Sequence, residues 1–187
     1  MLVNTIFEDA LDQLLDVAKR FLEAIEAAGI PCRVVGGLAV FLHVEEIDPL
    51  AARLTRDVDV AVYRLDLDRI RAAVQPYGFR HRDVRGIDMF LETGSIKARS
   101  AVHLIFLDEK VREGDLAEVP SSEAVRSTKG FLIAPVQDMV KMKLTSFRMK
   151  DKVHIQDMDS VGLITPEIEA SLSPALRVRL SEVRATE

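Results

Sequence analysis

Val34-Val35-Gly36-Gly37, followed about twenty residues later by Thr55-Arg56-Asp57-Val58-Asp59-Val60, decides how this chain reads. The first stretch is a short β-type run that breaks at two glycines and passes into Leu38-Ala39-Val40-Phe41-Leu42-His43, a pattern that suits a helix. The second places two carboxylates two residues apart. Side chains at i and i+2 of a strand share a face, so Asp57 and Asp59 can aim at one point while Val58, Val60 and Val62 point into a core. Such a pair can bind a divalent metal ion. The glycines let the backbone approach a ligand closely, and free amides at the start of the helix suit a phosphate.

Outward from this unit, Ile6, Ala10, Leu14, Ala18, Phe21 and Ile25 follow helical spacing behind the capping-box pair Thr5 and Glu8, which predicts a helix over 5–28. Gly29-Ile30-Pro31 stops it, and Cys32 to Val35 is the first strand. Glu45, Glu46, Asp48 and Pro49 read as a solvated loop leading to a strand from Asp57 to Tyr63. Asp66 caps a helix to Gln75, and β-type runs follow at Phe79 to Asp83, Ile87 to Glu92 and Ala101 to Leu107. Residues 108 to 130 read as a surface excursion, before a short strand at Phe131 to Ile133. Pro135 opens a helix to about Met149, a second runs from Asp151 to Val161, and a third starts at Thr165-Pro166. The class is α/β or α+β, a mixed sheet flanked by helices with a helical C-terminal region. The expected division is an α/β core over 1–134 and a helical region over 135–187 packed on it, the alternative being one domain overall.

Composition narrows the function classes. The 187 residues are 48% apolar and 29% charged, enough for a real core and too apolar for wholesale disorder. A net charge of −5 with no basic run disfavours general duplex DNA binding. The N-terminus has Glu8, Asp9, Asp12 and Asp16 where a signal peptide needs basic and then unbroken apolar residues. Val34 to Val44, the most apolar stretch, is far short of the ~20 residues that span a bilayer, so no membrane partner is expected. The single cysteine, Cys32, reads as a small buried hydrophobe in a reducing, cytoplasmic setting.

The glycine turn, Thr55 and the Asp-x-Asp strand together resemble the nucleotidyltransferase superfamily related to DNA polymerase β. The segment from Val35 to His43, followed by Arg53 to Val60, looks most like the bacterial abortive-infection and toxin-type members, whose helical ends are similar to Lys143, Arg148, Lys150, Asp151 and Asp157 here. The resemblance implies Mg²⁺ or Mn²⁺ held by Asp57 and Asp59, with Gly36, Gly37, Thr55, Lys143 and Arg148 around a nucleoside triphosphate. It implies transfer of a nucleoside monophosphate to a small molecule, a protein or an RNA end. Where the family carries a third carboxylate, this chain has His103, in Ala101-Val102-His103-Leu104-Ile105-Phe106. Imidazole can bind a metal or accept a proton, so His103 joins Asp57 and Asp59 as a candidate catalytic residue, though Mg²⁺ prefers oxygen. Asp88 and Glu92, on one face of the preceding strand, are candidate replacements for the missing carboxylate. The alternative is a nucleotidyltransferase fold that has lost catalysis and serves as a nucleotide-binding or interaction module, or as one half of a toxin–antitoxin pair. His43 and His154 read as ordinary, partly buried histidines.

Overall fold

The structure, a computed structural model, describes residues 2–93 and 101–186, with side chains described from residue 9 onward. Seven strands form one mixed sheet: β1 (Cys32–Val35), β2 (Val58–Val62), β3 (Phe79–Val84), β4 (Ile87–Glu92), β5 (Val102–Phe106), β6 (Val125–Arg126) and β7 (Leu132–Ile133). Their order is β3-β4-β5-β2-β1-β7-β6. β2 runs parallel to β5 and antiparallel to β1, and β1 runs parallel to β7. β2 therefore lies mid-sheet, where both faces are covered, and its Val58, Val60, Ala61 and Val62 are all buried.

The helices are α1 (Leu2–Ala27), α2 (Gly36–Ile47), α3 (Leu67–Val74), α4 (Val136–Ser146), α5 (Met149–Ser160), α6 (Pro166–Ser171) and α7 (Pro174–Arg184). α1 lays Leu14, Val17, Ala18, Phe21 and Ile25 onto one face of the sheet; the Phe21 ring sits 5.2 Å from those of both Phe79 and Phe90. α2 continues directly from β1 and packs against α4 and α5. Its residues from Gly37 to Val44 are all buried, which is why this helix reads as almost uniformly apolar.

Several boundaries differ from the sequence expectation. α1 is already helical at Leu2, upstream of Thr5; the side chains of Thr5 and Glu8 lie outside the described residues. Glu45 and Glu46 belong to the last turns of α2 and not to a loop, held there by Lys129 at 3.1 Å and by the Thr128 amide at 2.6 Å. The third helix of the C-terminal region begins as expected, with Thr165 accepting from the Ile168 amide. α4 stops at Ser146, before Met149, because Phe147 adopts a left-handed conformation (φ 49°) that breaks the helix; α5 then starts immediately after Arg148. β6 and α7 went unread in the sequence: β6 is only two residues long, and α7 shows a weak apolar stripe of Leu176, Leu180 and Val183. Cys32 is buried at the start of β1, and burial pushes its thiol up to about 12, leaving it inert as a nucleophile. No described helix is long and apolar enough to cross a membrane.

Candidate active site

Register fixes the centre of the site. Val35 opposes Asp59 across β1 and β2, and Asp59 opposes His103 across β2 and β5, so the end of β1 and both polar side chains share one face of the sheet. His103 Nδ1 lies 3.5 Å from Asp59 Oδ1, with both side chains about a quarter exposed. The hydrogen bond to Asp59 raises the His103 pKa above the ordinary histidine value; burial opposes this, and the charges of Asp59 and Asp57 reinforce it. Asp57 is exposed immediately before β2, its amide 3.5 Å from Thr55 Oγ1. Among the described residues, no three His, Cys, Asp or Glu side chains converge closely enough to hold a metal ion as they stand. Asp59 and His103 form the near pair, and Asp57 stands beside it.

The glycine turn presses directly on this pair. Gly36 has φ +71°, and a β-carbon built on it would lie 2.0 Å from Asp59 Oδ2. On Gly37 a β-carbon would lie 2.6 Å from Thr55 Oγ1 and 3.6 Å from His154 Cε1. The backbone can make this turn only without side chains at both positions. Val35 makes no side-chain cap, so the first amides of the twelve-residue α2 face the site without a side-chain acceptor from the N-cap.

Cations reach the same place from α4 and α5. Lys143, 5% exposed, points its Nζ to within 3.3 Å of Asp151 Oδ1. Asp151 has no exposed surface and also accepts from Ser146 Oγ at 2.7 Å, the Arg148 amide at 3.1 Å and Arg148 Nε at 2.8 Å. Burial alone would push the Asp151 carboxyl up; the hydrogen bonds from Arg148 and Ser146 and the charge of Lys143 reverse this and hold it at about 2. Burial pulls the Lys143 ammonium below its ordinary value despite the attraction of Asp151 and Asp59. Asp59 also acts electrostatically on Arg148, as does Asp115 from the segment after β5. Gly36, Gly37, Thr55, Asp57, Asp59, His103, Lys143 and Arg148 thus gather at one end of the sheet.

Asp88 and Glu92 do not join them. Met89, not Asp88, opposes His103, so Asp88 and Glu92 project from the opposite face, with Phe90. There Asp88 receives His81 Nε2 at 2.6 Å and Glu92 pairs with Arg20 of α1. Their even spacing is correct, but the face is wrong, because pairing register is invisible in a single strand's sequence. His43 is buried and bonds the Ala134 carbonyl at 2.8 Å.

Two residues reach the site in ways the sequence did not show: His154, read as an ordinary histidine, and Asp157, quoted only for the likeness of the helical end. His154 lies beside Gly37 with a buried Nδ1 that has no hydrogen-bond partner among the described residues, and burial and the nearby Lys143 charge lower its pKa to about 4. Asp157, nearly buried, receives Arg53 Nε at 2.8 Å and so ties the loop leading to Thr55 and Asp57 onto α5. No helical spacing within one segment could reveal either, since both act across elements.

No protein-family model matches the sequence, and no curated protein matches it. Solved structures do. The solution structure of the antibiotic-resistance factor ANT(2'')-Ia matches with a TM-score of 0.59 at 13% identity, covering 95% of each chain. The crystal structure of ANT(2'')-Ia with adenylyl-2''-tobramycin matches with a TM-score of 0.52 at 14% identity, covering 94% of this chain and 98% of that one. An antigenic nucleotidyltransferase-like protein from Paracoccidioides brasiliensis matches with a TM-score of 0.58 at 17% identity, covering 94% and 88%.

Proposed function

We propose, from the nucleotidyltransferase-superfamily fold that this chain has, that it transfers a nucleoside monophosphate from a nucleoside triphosphate to an acceptor hydroxyl. The observation that carries this reading is the packing of the Gly36-Gly37 turn against Asp59 and Thr55, which brings uncapped helix amides and a carboxylate to one point. The α2 amides bind the distal phosphates. Lys143 and Arg148, both oriented by Asp151, lie on the same side and balance the charge that develops on the departing pyrophosphate. The acceptor oxygen forms a bond to the α-phosphorus, the bond from that phosphorus to the bridging oxygen of pyrophosphate breaks, and the acceptor proton passes to a carboxylate of the Asp57/Asp59 pair.

Carboxylate oxygens suit a divalent ion: Asp59 faces the His103 imidazole, and Asp57, immediately before β2, is near enough for its charge to act on His103. Mg²⁺ or Mn²⁺ bound there would neutralise phosphate charge as a Lewis acid. The acceptor would sit on the open side by Asp57. The likeness to a protein solved with an adenylylated tobramycin supports a small-molecule hydroxyl as the first acceptor class to test.

The test is the thermal unfolding midpoint with ATP, GTP, CTP and UTP, each with and without Mg²⁺ or Mn²⁺, followed by transfer of label from the α-phosphate. A nucleotide at a hundred times its Kd stabilises the native state by about 2.7 kcal/mol. The expected result is a metal-dependent rise with at least one nucleotide, absent in Asp57→Ala/Asp59→Ala. No rise with any combination sinks the reading. A second reading, a nucleotide-binding module without turnover and one half of a toxin–antitoxin pair, is favoured by one observation, the imidazole of His103 in place of a carboxylate. Metal-dependent binding without label transfer to any acceptor offered would support it.

A further inference from the structure

We propose that β3 is a docking edge for an extended acidic segment of a partner protein, which adds to the sheet as a further strand; the inference stands apart from the transfer reading. β3 ends the sheet, and its six residues pair in unbroken register with β4 on one side only. The Thr93 amide donates to the Gly78 carbonyl at 2.7 Å, which fixes the alternation: Arg80, Arg82 and Val84 turn their amides and carbonyls toward β4. Those of Phe79, His81 and Asp83 turn outward, and among the described residues no backbone group receives them. Native sheets blunt such an edge with a proline, a bulge, a very short strand or a covering helix. β3 has no proline and no bulge, whereas β6, at the other edge, is only two residues long. α3 stands beside β3 without closing the edge, leaving an open groove of about 470 Å³ lined by Arg71, Gln75, Phe79, Arg80, His81 and Thr93.

Charge chooses the occupant. Arg80 and Arg82 are exposed and pair with no carboxylate among the described residues. Both share the face of Leu91 and Met89, while the carboxylates of β4, Asp88 and Glu92, take the other. An antiparallel strand bonded to Phe79, His81 and Asp83 sets its intervening side chains directly opposite Arg80 and Arg82, at the closer positions of the ladder. Acidic residues two apart in that strand neutralise both arginines. A second copy of this chain does not fit, because pairing two β3 strands about His81 sets Arg80 against Arg82. A phosphate chain offers acceptors only, whereas an extended peptide supplies donors and acceptors in the repeat of the edge itself. The register also places the partner. Arg82 opposes Met89, Met89 opposes His103 and His103 opposes Asp59, so Arg82 stands on the Asp59 face about 14 Å, three strand spacings, away. A segment docked at β3 flanks the candidate active site without touching it.

The experiment titrates the full chain with a short capped peptide of alternating valine and glutamate, and reads backbone amide resonances and hydrogen exchange. The controls are the same peptide with lysine for glutamate, the same peptide with proline for valine, and oligouridylate. The expected result is saturable binding of the glutamate peptide, with exchange at the Phe79, His81 and Asp83 amides slowed at least about tenfold at saturation. The amides of Arg80 and Arg82, already turned to β4, change least. Arg80→Glu/Arg82→Glu should weaken the glutamate peptide at least about tenfold and take up the lysine peptide instead. Arg80→Gln/Arg82→Gln, which sets no new charge on the edge, should fall between. No binding of the glutamate peptide at millimolar concentration, protection away from those three amides, or equal binding by the charge-reversed variant overturns the proposal. Equal affinity for the proline peptide reduces the edge to a charge patch and overturns strand addition. Binding of oligouridylate in preference to the peptide, lost with the two arginines, overturns the peptide assignment in favour of a phosphate chain.

Discussion

A β-carbon on Gly36 would stand 2.0 Å from Asp59 Oδ2, closer than any real contact allows, so the turn and the carboxylate are fitted to each other. Gly36→Ala must both strain a backbone at φ +71° and push Asp59 aside. The expected loss is on the order of 3 kcal/mol, together with loss of metal-dependent nucleotide stabilisation. Gly162→Ala is the control: its φ is also positive, at 76°, but a β-carbon there meets nothing within 4 Å. Denaturant unfolding should show that Gly162→Ala loses about 1–2 kcal/mol and keeps the ligand response. Equal losses in the two variants, with the ligand response intact in both, would detach Gly36 from the site.

The placement of Asp88 on the α1 face makes a second prediction. Asp88→Asn weakens a charge-assisted bond to His81 and should cost about 1–3 kcal/mol in stability, measured by urea unfolding. Its affinity for Mn²⁺ or Mg²⁺ should match the wild type, because no part of Asp88 reaches the Asp59 and His103 face. A fall in metal affinity at unchanged stability would return Asp88 to the site.

The two predictions mark what was legible in the sequence. The strand, glycine turn and helix from Cys32 onward could be read because local rules govern them: Gly36 alone tolerates its dihedral, and the Val58/Val60 alternation points to a buried strand. The mixed sheet class followed from the same runs. Which face Asp88 takes could not be read, since it depends on pairing with β5, about fifteen residues away in sequence. Nor could the Asp151 hub, whose partners Lys143, Ser146 and Arg148 converge only because Phe147 breaks one helix and lets another start.

Asp151 supplies a third prediction. Its carboxyl sits at about 2, below the ordinary 3.8, so the native state releases its proton more readily than the unfolded chain. The stability it contributes is complete above about pH 4 and is lost as pH falls through about 2. Asp151→Asn removes one partner of a buried ion pair and should cost about 3–5 kcal/mol at pH 7. It should also flatten the wild-type loss between those two pH values, read by denaturant midpoints across the acid range. An acid limb that keeps its wild-type slope in the variant would place the titrating carboxylate elsewhere.

His154 titrates in the opposite setting. Its pKa falls from 6.5 to about 4 because burial disfavours the imidazolium, and the Lys143 charge adds to the effect. Between about pH 6.5 and pH 4 the unfolded chain carries a proton on this residue that the native state does not, so stability rises with pH across that window and falls as the solution is acidified through it. The slope from this one group is at most about 1.4 kcal/mol per pH unit. His154→Phe removes the group while keeping a ring beside Gly37, and it also removes the buried Nδ1, which has no partner among the described residues. His43 and His103 are present in both proteins, so the difference between the two stability profiles isolates His154. The expected difference is a flatter profile for His154→Phe from pH 6.5 to 4 and parallel profiles above pH 7. Parallel profiles throughout would mean that His154 titrates alike in the folded and unfolded chain, and that the cations of α4 and α5 do not reach it.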